Sequence, residues 1–195
     1  MANHVSTYVE FRKLNDAGKE LLSKLISRIR EDGTYRWFGD MWVDGTDQTP
    51  SYQETEQYVW TTENIGPKWC YIEEVGDDYL RLTSAWSWPE QGIEWLVNQL
   101  AAVDPKVLVT CQFDDEMPNF IGVAVYDRHG FVDGFEDDWD QIKDRVTEEH
   151  PEIDELEEES EEWWDAVHEK MYEVISDAQW SYINEVVSHY EPSEE

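Results

Sequence analysis

The chain has 195 residues, 46 acidic and 14 basic, for a formal charge of −32 at pH 7. A pI near 4.2 argues against direct nucleic-acid binding and against anionic membrane surfaces, because phosphates would be repelled. No apolar run reaches transmembrane length, the opening Met1-Ala2-Asn3-His4 lacks signal-peptide character, and two cysteines are too few for a disulfide framework.

A soluble protein of the cytoplasm with free thiols is therefore expected. Eleven Trp, ten Tyr and six Phe supply the material for a core and argue against disorder.

Residues His4–Leu14 alternate Val5, Thr7, Val9 and Phe11 with polar positions and read as a strand. Asn15 or Asp16 then caps a helix to about Glu31, with Leu21, Leu22, Leu25, Ile26 and Ile29 on one face and Gly33 after it. Residues 34–67 form an aromatic-rich insertion, with one strand expected near Gln57–Thr61. Trp69–Val75 and Tyr79–Ser84 read as a hairpin around Gly76-Asp77-Asp78. Pro89 suits the first position of a helix to Ala102 that carries Ile93, Leu96, Val97 and Leu100. Lys106–Phe113 and Phe120–Tyr126 complete the body as two further strands joined at Pro118-Asn119. The order β-α-β-β-α-β-β gives an α+β fold class, a ferredoxin-like split βαβ sandwich with one extra strand.

Three landmarks then line up: Glu63-Asn64-Ile65-Gly66-Pro67-Lys68-Trp69; Thr83-Ser84-Ala85-Trp86-Ser87-Trp88-Pro89; and Asp114-Asp115-Glu116 followed by Phe120-Ile121-Gly122. Over about residues 60–130 the chain resembles a family of phage and conjugative-plasmid proteins of unknown function with a ferredoxin-like domain. The family pattern is W-G-T-K-W, then T-A-W-S-P-P, then an acidic pair and an F-x-G strand. Here Ile65-Gly66-Pro67 replaces W-G-T, and Ser87-Trp88-Pro89 replaces S-P-P. The resemblance implies the fold and a mobile-element origin, and no catalytic residue. On physical grounds, Trp69 and Trp86 are expected to stack on one core face, with a binding surface as the other possibility.

Composition changes near Gly130. Residues 131–195 hold 24 Asp/Glu against Lys143, Arg145 and Lys170, a net of −21. This divides the chain into a 1–130 domain and a 131–195 acidic helical extension. Phe131–Phe135 reads as a loop and Glu136–Val146 as a short helix, ended by His150-Pro151. From Pro151 to about Tyr190 the pattern predicts one amphipathic helix of up to 40 residues, or two if it breaks near Ser176. Its apolar stripe includes Ile153, Leu156, Trp163, Val167, Met171 and Val174. Its opposite face is a rail of Glu155, Glu158, Glu162, Asp165, Glu169, Glu173 and Asp177. Ten acids lie between Glu152 and Glu169. On a continuous helix that is one charge per roughly 2.7 Å, inside the range of nucleic acid, which carries one per about 1.7 Å in a duplex and 3.4 Å in one strand.

No P-loop, G-x-G-x-x-G, H-E-x-x-H or G-x-S-x-G is present. The histidines lack ligand spacing; Asp114-Asp115-Glu116 and Glu136-Asp137-Asp138 could hold Mg²⁺ or Ca²⁺ only weakly and fit no EF-hand, so neither a resident metal nor a cofactor is expected. Cys70 and Cys111 form no C-x-x-C and are expected buried. An enzyme site in the insertion around Trp37–Trp60 has no motif behind it, and the chain is expected not to be an enzyme.

The leading expectation is a phage or mobile-element inhibitor in the host-cell cytoplasm. It would mimic nucleic-acid charge and occlude the basic cleft of a nucleic-acid-binding host protein of restriction, CRISPR, nuclease or polymerase type. Partner-binding residues would be Glu155, Glu158, Glu162, Asp165, Glu169 and Glu173, with Trp163 and Trp164 as anchors. The alternative is a non-mimic interaction module, or a homodimer, docking through Trp163, Trp164, Val167 and Met171 on the apolar face of the last helix.

Overall fold

The computed structural model describes residues 3–29, 36–42, 54–117, 119–157 and 160–189. Strand β1 (His4–Arg12) is followed by helix α1 (Asp16–Ile26), the short strand β2 (Arg36–Trp37), a 3₁₀ turn Phe38–Trp42 and helix α2 (Glu54–Asn64). The hairpin β3 (Cys70–Val75) and β4 (Tyr79–Ala85) leads to α3 (Glu90–Ala101), then β5 (Leu108–Asp115), β6 (Phe120–Asp127) and β7 (Gly130–Asp138). Helix α4 (Trp139–Glu149), a 3₁₀ turn Pro151–Glu155 and helix α5 (Glu161–His189) complete the described chain.

The described strands form one seven-stranded sheet in the order β2-β3-β4-β1-β5-β6-β7, every pair antiparallel. The molecule is thus a mixed α/β protein. Alternation on β1 sends Val5, Thr7, Val9 and Phe11 to one face and Ser6, Tyr8, Glu10 and Arg12 to the other. The first face meets α1 and α3 through Leu22, Leu25, Ile93, Leu96 and Leu100, with Leu80, Leu82, Val109 and Cys111 from neighbouring strands. On the second face, α5 and α4 cover the β5–β6–β7 half. Ile121, Ile142, Val146, Trp163, Val167, Met171 and Val174 form one cluster there, and Leu108, Val123, Val125 and Ile183 form another.

Five expectations are corrected. The segment Gln57–Thr61, expected as a strand, lies in α2. Trp60 packs edge-on to Trp37 at 5.3 Å and Trp42 at 6.0 Å, so tertiary burial of one residue overrides a local run of aromatics that looks like a strand. Phe131–Phe135, expected as a loop, belongs to β7. An edge strand tolerates the aspartates and glycines that suggested a turn, and a side chain at Gly134 would collide with the Val123 carbonyl. The composition break at residue 130 therefore falls at the β6–β7 turn, and the acidic segment supplies a strand of the same sheet.

Thirdly, the C-terminal segment is neither one 40-residue helix nor two broken at Ser176. It holds a 3₁₀ turn at Pro151–Glu155 and a continuous 29-residue α5 that begins only at Glu161. Like charges at helical spacing oppose helix formation in the Glu-rich stretch. Ser160 restarts the helix: its Oγ accepts from the Trp163 N–H at 3.1 Å, and Glu161 and Glu162 sit favourably in the first turn. Fourthly, Trp69 and Trp86 do not stack. Trp69 lies on Tyr71, whereas Trp86 is 53 % exposed at φ 66° with Lys68 over its ring. Lastly, helix α1 ends at Ile26, short of the expected Glu31, with Ser27 as its C-cap, and the Gly33 stop lies outside the described residues.

The two crossovers are joined by one buried carboxylate. Asp104, fully buried, accepts from the Asn15 N–H at 2.7 Å and the Lys106 N–H at 3.0 Å, while the Asn15 side chain caps α1 through Gly18. Hydrogen bonds to a charged group are worth about 1.5–3 kcal/mol each, and leaving their donors buried adds to the loss. Asp104→Ala should lower unfolding free energy by about 2–4 kcal/mol in urea titrations. A loss under about 0.5 kcal/mol would contradict this role.

Candidate functional site

The candidate site begins with how α5 is held. Its buried stripe, Trp163, Val167, Met171, Val174, Ile175 and Ile183, faces the sheet. Fully burying side chains of this kind is worth about 1.5–3 kcal/mol each, far above the few tenths that each i,i+4 carboxylate pair costs. Gln179, 5 % exposed, donates through Nε2 to the Phe113 and Gly122 carbonyls, both at 3.1 Å. Tyr182 donates to Asp133 of β7 at 2.8 Å, and burial together with that acceptor pushes its phenol up to about 12. Beside it, Asp138 and Gln141 form a capping box that opens α4, and Arg145 pairs with Asp137.

This anchoring turns the other face of α5 outward. Glu162, Asp165, Glu169 and Glu173 are exposed and share one side of the helix, continued by Asp177. Lys170 is the only Lys or Arg on α5, and it lies 3.7 Å from Glu169. Glu155 is exposed but sits in the 3₁₀ turn, off the helix that carries the other four. Glu158 lies outside the described residues.

The expected linear charge density is consequently not displayed. Residues 152–169 do not form one helix, and α5 presents seven carboxylates over roughly 43 Å, or one per about 6 Å. That is sparser than a single nucleic-acid strand. The exposed charge is instead divided among two packed helices and the turn that follows the first. Asp144, Glu148 and Glu149 of α4, and Glu152, Glu155 and Glu157 after it, are exposed, and α4 packs against α5.

The two tryptophans part company. Trp163 is 4 % exposed and belongs to the internal packing, as do Val167 and Met171, so this apolar face is spent on the sheet. Trp164 is half-buried and stacks on Trp139 at 5.7 Å and 21°. Together they wall a groove of about 480 Å³ completed by Glu116, Met117, Asn119, His168, Met171 and Tyr172. Met117 is 68 % and Tyr172 59 % exposed. Sequence reasoning missed both. Tyr172 interrupts no pattern, and Met117 comes from the β5–β6 turn, which periodicity does not reach. That turn is clamped by buried Asp115, which accepts from the Asn119 N–H at 2.9 Å, Asn119 Nδ2 at 2.7 Å and Asn3 Nδ2 at 3.2 Å.

Among the described residues, no three His, Cys, Asp or Glu side chains are placed to hold a metal ion, and no helix is long and apolar enough to cross a membrane. Cys70 and Cys111 are buried free thiols, and burial pushes both well up from ordinary thiol values. Comparison with known proteins finds no family model, no curated protein and no solved structure that matches this chain.

Beside the clamp, burial and the neighbouring Asp115 push the Asp114 carboxyl up to about 6. The folded protein therefore holds this proton to higher pH than the unfolded chain does. The contribution of Asp114 to stability falls as pH rises from the ordinary carboxylate range through about 6, and its full cost remains above that. Asp114→Asn should raise stability by on the order of 1–2 kcal/mol at pH 7.5 and by nothing at pH 3.5. An equal effect at the two pH values in denaturant titrations would contradict this.

Proposed function

We propose that the chain is a non-catalytic inhibitor of phage or mobile-element origin, acting in the host-cell cytoplasm. Its acidic α4–α5 surface occludes the basic cleft of a nucleic-acid-binding host protein of restriction, CRISPR, nuclease or polymerase type. The single observation that carries this reading is the outer face of α5, where seven exposed carboxylates meet one lysine on a helix whose inner face is fully engaged. Such a surface steers a basic partner and repels nucleic acid and other copies of itself. The mimicry is one of surface charge over two helices and the turn between them, not of phosphate spacing along one rod. The strand order β3-β4-β1-β5, with α1 and α3 on one face, supports a ferredoxin-like split βαβ core for the part that holds this surface, in keeping with the family resemblance.

Replacing Glu162, Asp165 and Glu169 together by Lys reverses the charge of one exposed face and touches no buried contact. The variant should keep its circular dichroism and thermal midpoint within a few degrees. It should lose capture of partners from nuclease-treated bacterial lysate, whereas wild type should release a basic nucleic-acid-binding protein at moderate salt. Undiminished capture of that protein by the variant would sink the proposal.

A further inference from the structure

Met117 and Tyr172 are the two most exposed large hydrophobic side chains among the described residues, and they line the same groove. Trp139, Trp164 and Met171 add apolar and aromatic wall, and Glu116, Asn119 and His168 are its polar members. Aromatic and thioether side chains make an adaptable apolar seat, because methionine is flexible and polarisable and indole offers a large flat face.

What surrounds this seat determines what it can take. Glu116 stands on one wall. On α5, Asp165, Glu169 and Glu173 each follow directly after a groove residue, Trp164, His168 and Tyr172, so the carboxylate face begins where the groove ends. Asp140 follows Trp139 at the far side and is exposed. A second copy of this chain would bring the same acidic rim against itself. An uncharged apolar partner would leave the rim unpaired.

Building on the acidic-surface reading, we infer that the groove is an anchor site for one apolar side chain carried by a Lys/Arg-rich helical segment of the partner protein. The anchor enters between Trp164, Met117 and Tyr172, and the flanking cations meet Glu116, Asp165 and Glu169. Recognition of this kind follows the helix-in-groove mode, in which a buried anchor supplies affinity and the charged rim supplies orientation and rate. The partner is thereby narrowed from any basic cleft to one whose cations flank an exposed Leu, Met or Phe.

Three synthetic 18-residue helical peptides separate the contributions: Lys/Leu, Lys/Ser and Gln/Leu. Binding is measured by Trp fluorescence and calorimetry at 300 mM NaCl. The full chain, Met117→Ser/Tyr172→Ser and Asp165→Asn/Glu169→Gln are compared after circular dichroism shows each folded. Trp164 is left intact because it stacks on Trp139. Wild type should bind Lys/Leu at least tenfold more tightly than either other peptide. The groove variant should lose the preference for Lys/Leu over Lys/Ser. The carboxylate variant should weaken both Lys peptides alike and keep that preference. Equal binding of Lys/Leu and Lys/Ser by wild type, or a preference that survives in the groove variant, would overturn the anchor site while leaving the acidic-surface reading standing. Gln/Leu binding as tightly as Lys/Leu would overturn the basic partner and the acidic-surface reading with it. Binding of neither Lys peptide would overturn both.

Discussion

The contact between α5 and the β5–β6–β7 half of the sheet is the constraint on which the rest of the molecule depends. Without it Ile121, Val123, Val125 and Leu108 would face water, and a helix with seven carboxylates and one lysine would have little reason to stay helical. Burial of Val167, Met171, Val174, Ile175 and Ile183 outweighs the repulsion along the outer face by a wide margin. Gln179 fixes the helix to two particular carbonyls, which sets which residues face outward. The acidic surface is thus a consequence of packing on its reverse side.

The same docking separates two groups that the sequence places together. Trp163 and Trp164 are neighbours in the chain, yet one is internal and the other walls an open groove. Charge gives range and apolar contact gives residence, and the two are adjacent here along one edge of α5.

Much of this fold is legible in the sequence, and the exceptions have physical causes. Strands β1, β3, β4, β5 and β6 and helices α1 and α3 follow from alternation, apolar runs, three-and-four spacing and turn residues, because each buries at least one face in a core. Helix α2 is hidden because Tyr58-Val59-Trp60 looks like a strand until Trp37 and Trp42 are in place around Trp60. Strand β7 is hidden because an edge strand carries Asp and Gly as a turn would. The start of α5 is misread because apolar spacing runs on through Leu156, while the capping hydroxyl of Ser160 marks the true beginning. Of the candidate site, the carboxylates Glu162, Asp165, Glu169 and Glu173 are legible as one face. The groove is half legible: Trp164 stands out in the sequence, whereas Met117 is brought to it only by the β5–β6 turn and its Asp115 clamp.

On the proposed function, this surface takes the place of nucleic acid on a basic partner. The most direct measurement is competition on the captured partner, using fluorescence anisotropy of a labelled duplex or single strand already bound to it. The protein should displace the nucleic acid with one-to-one stoichiometry, and displacement should weaken steeply with added salt. A ternary complex, with anisotropy unchanged or raised while both ligands stay bound, would contradict it.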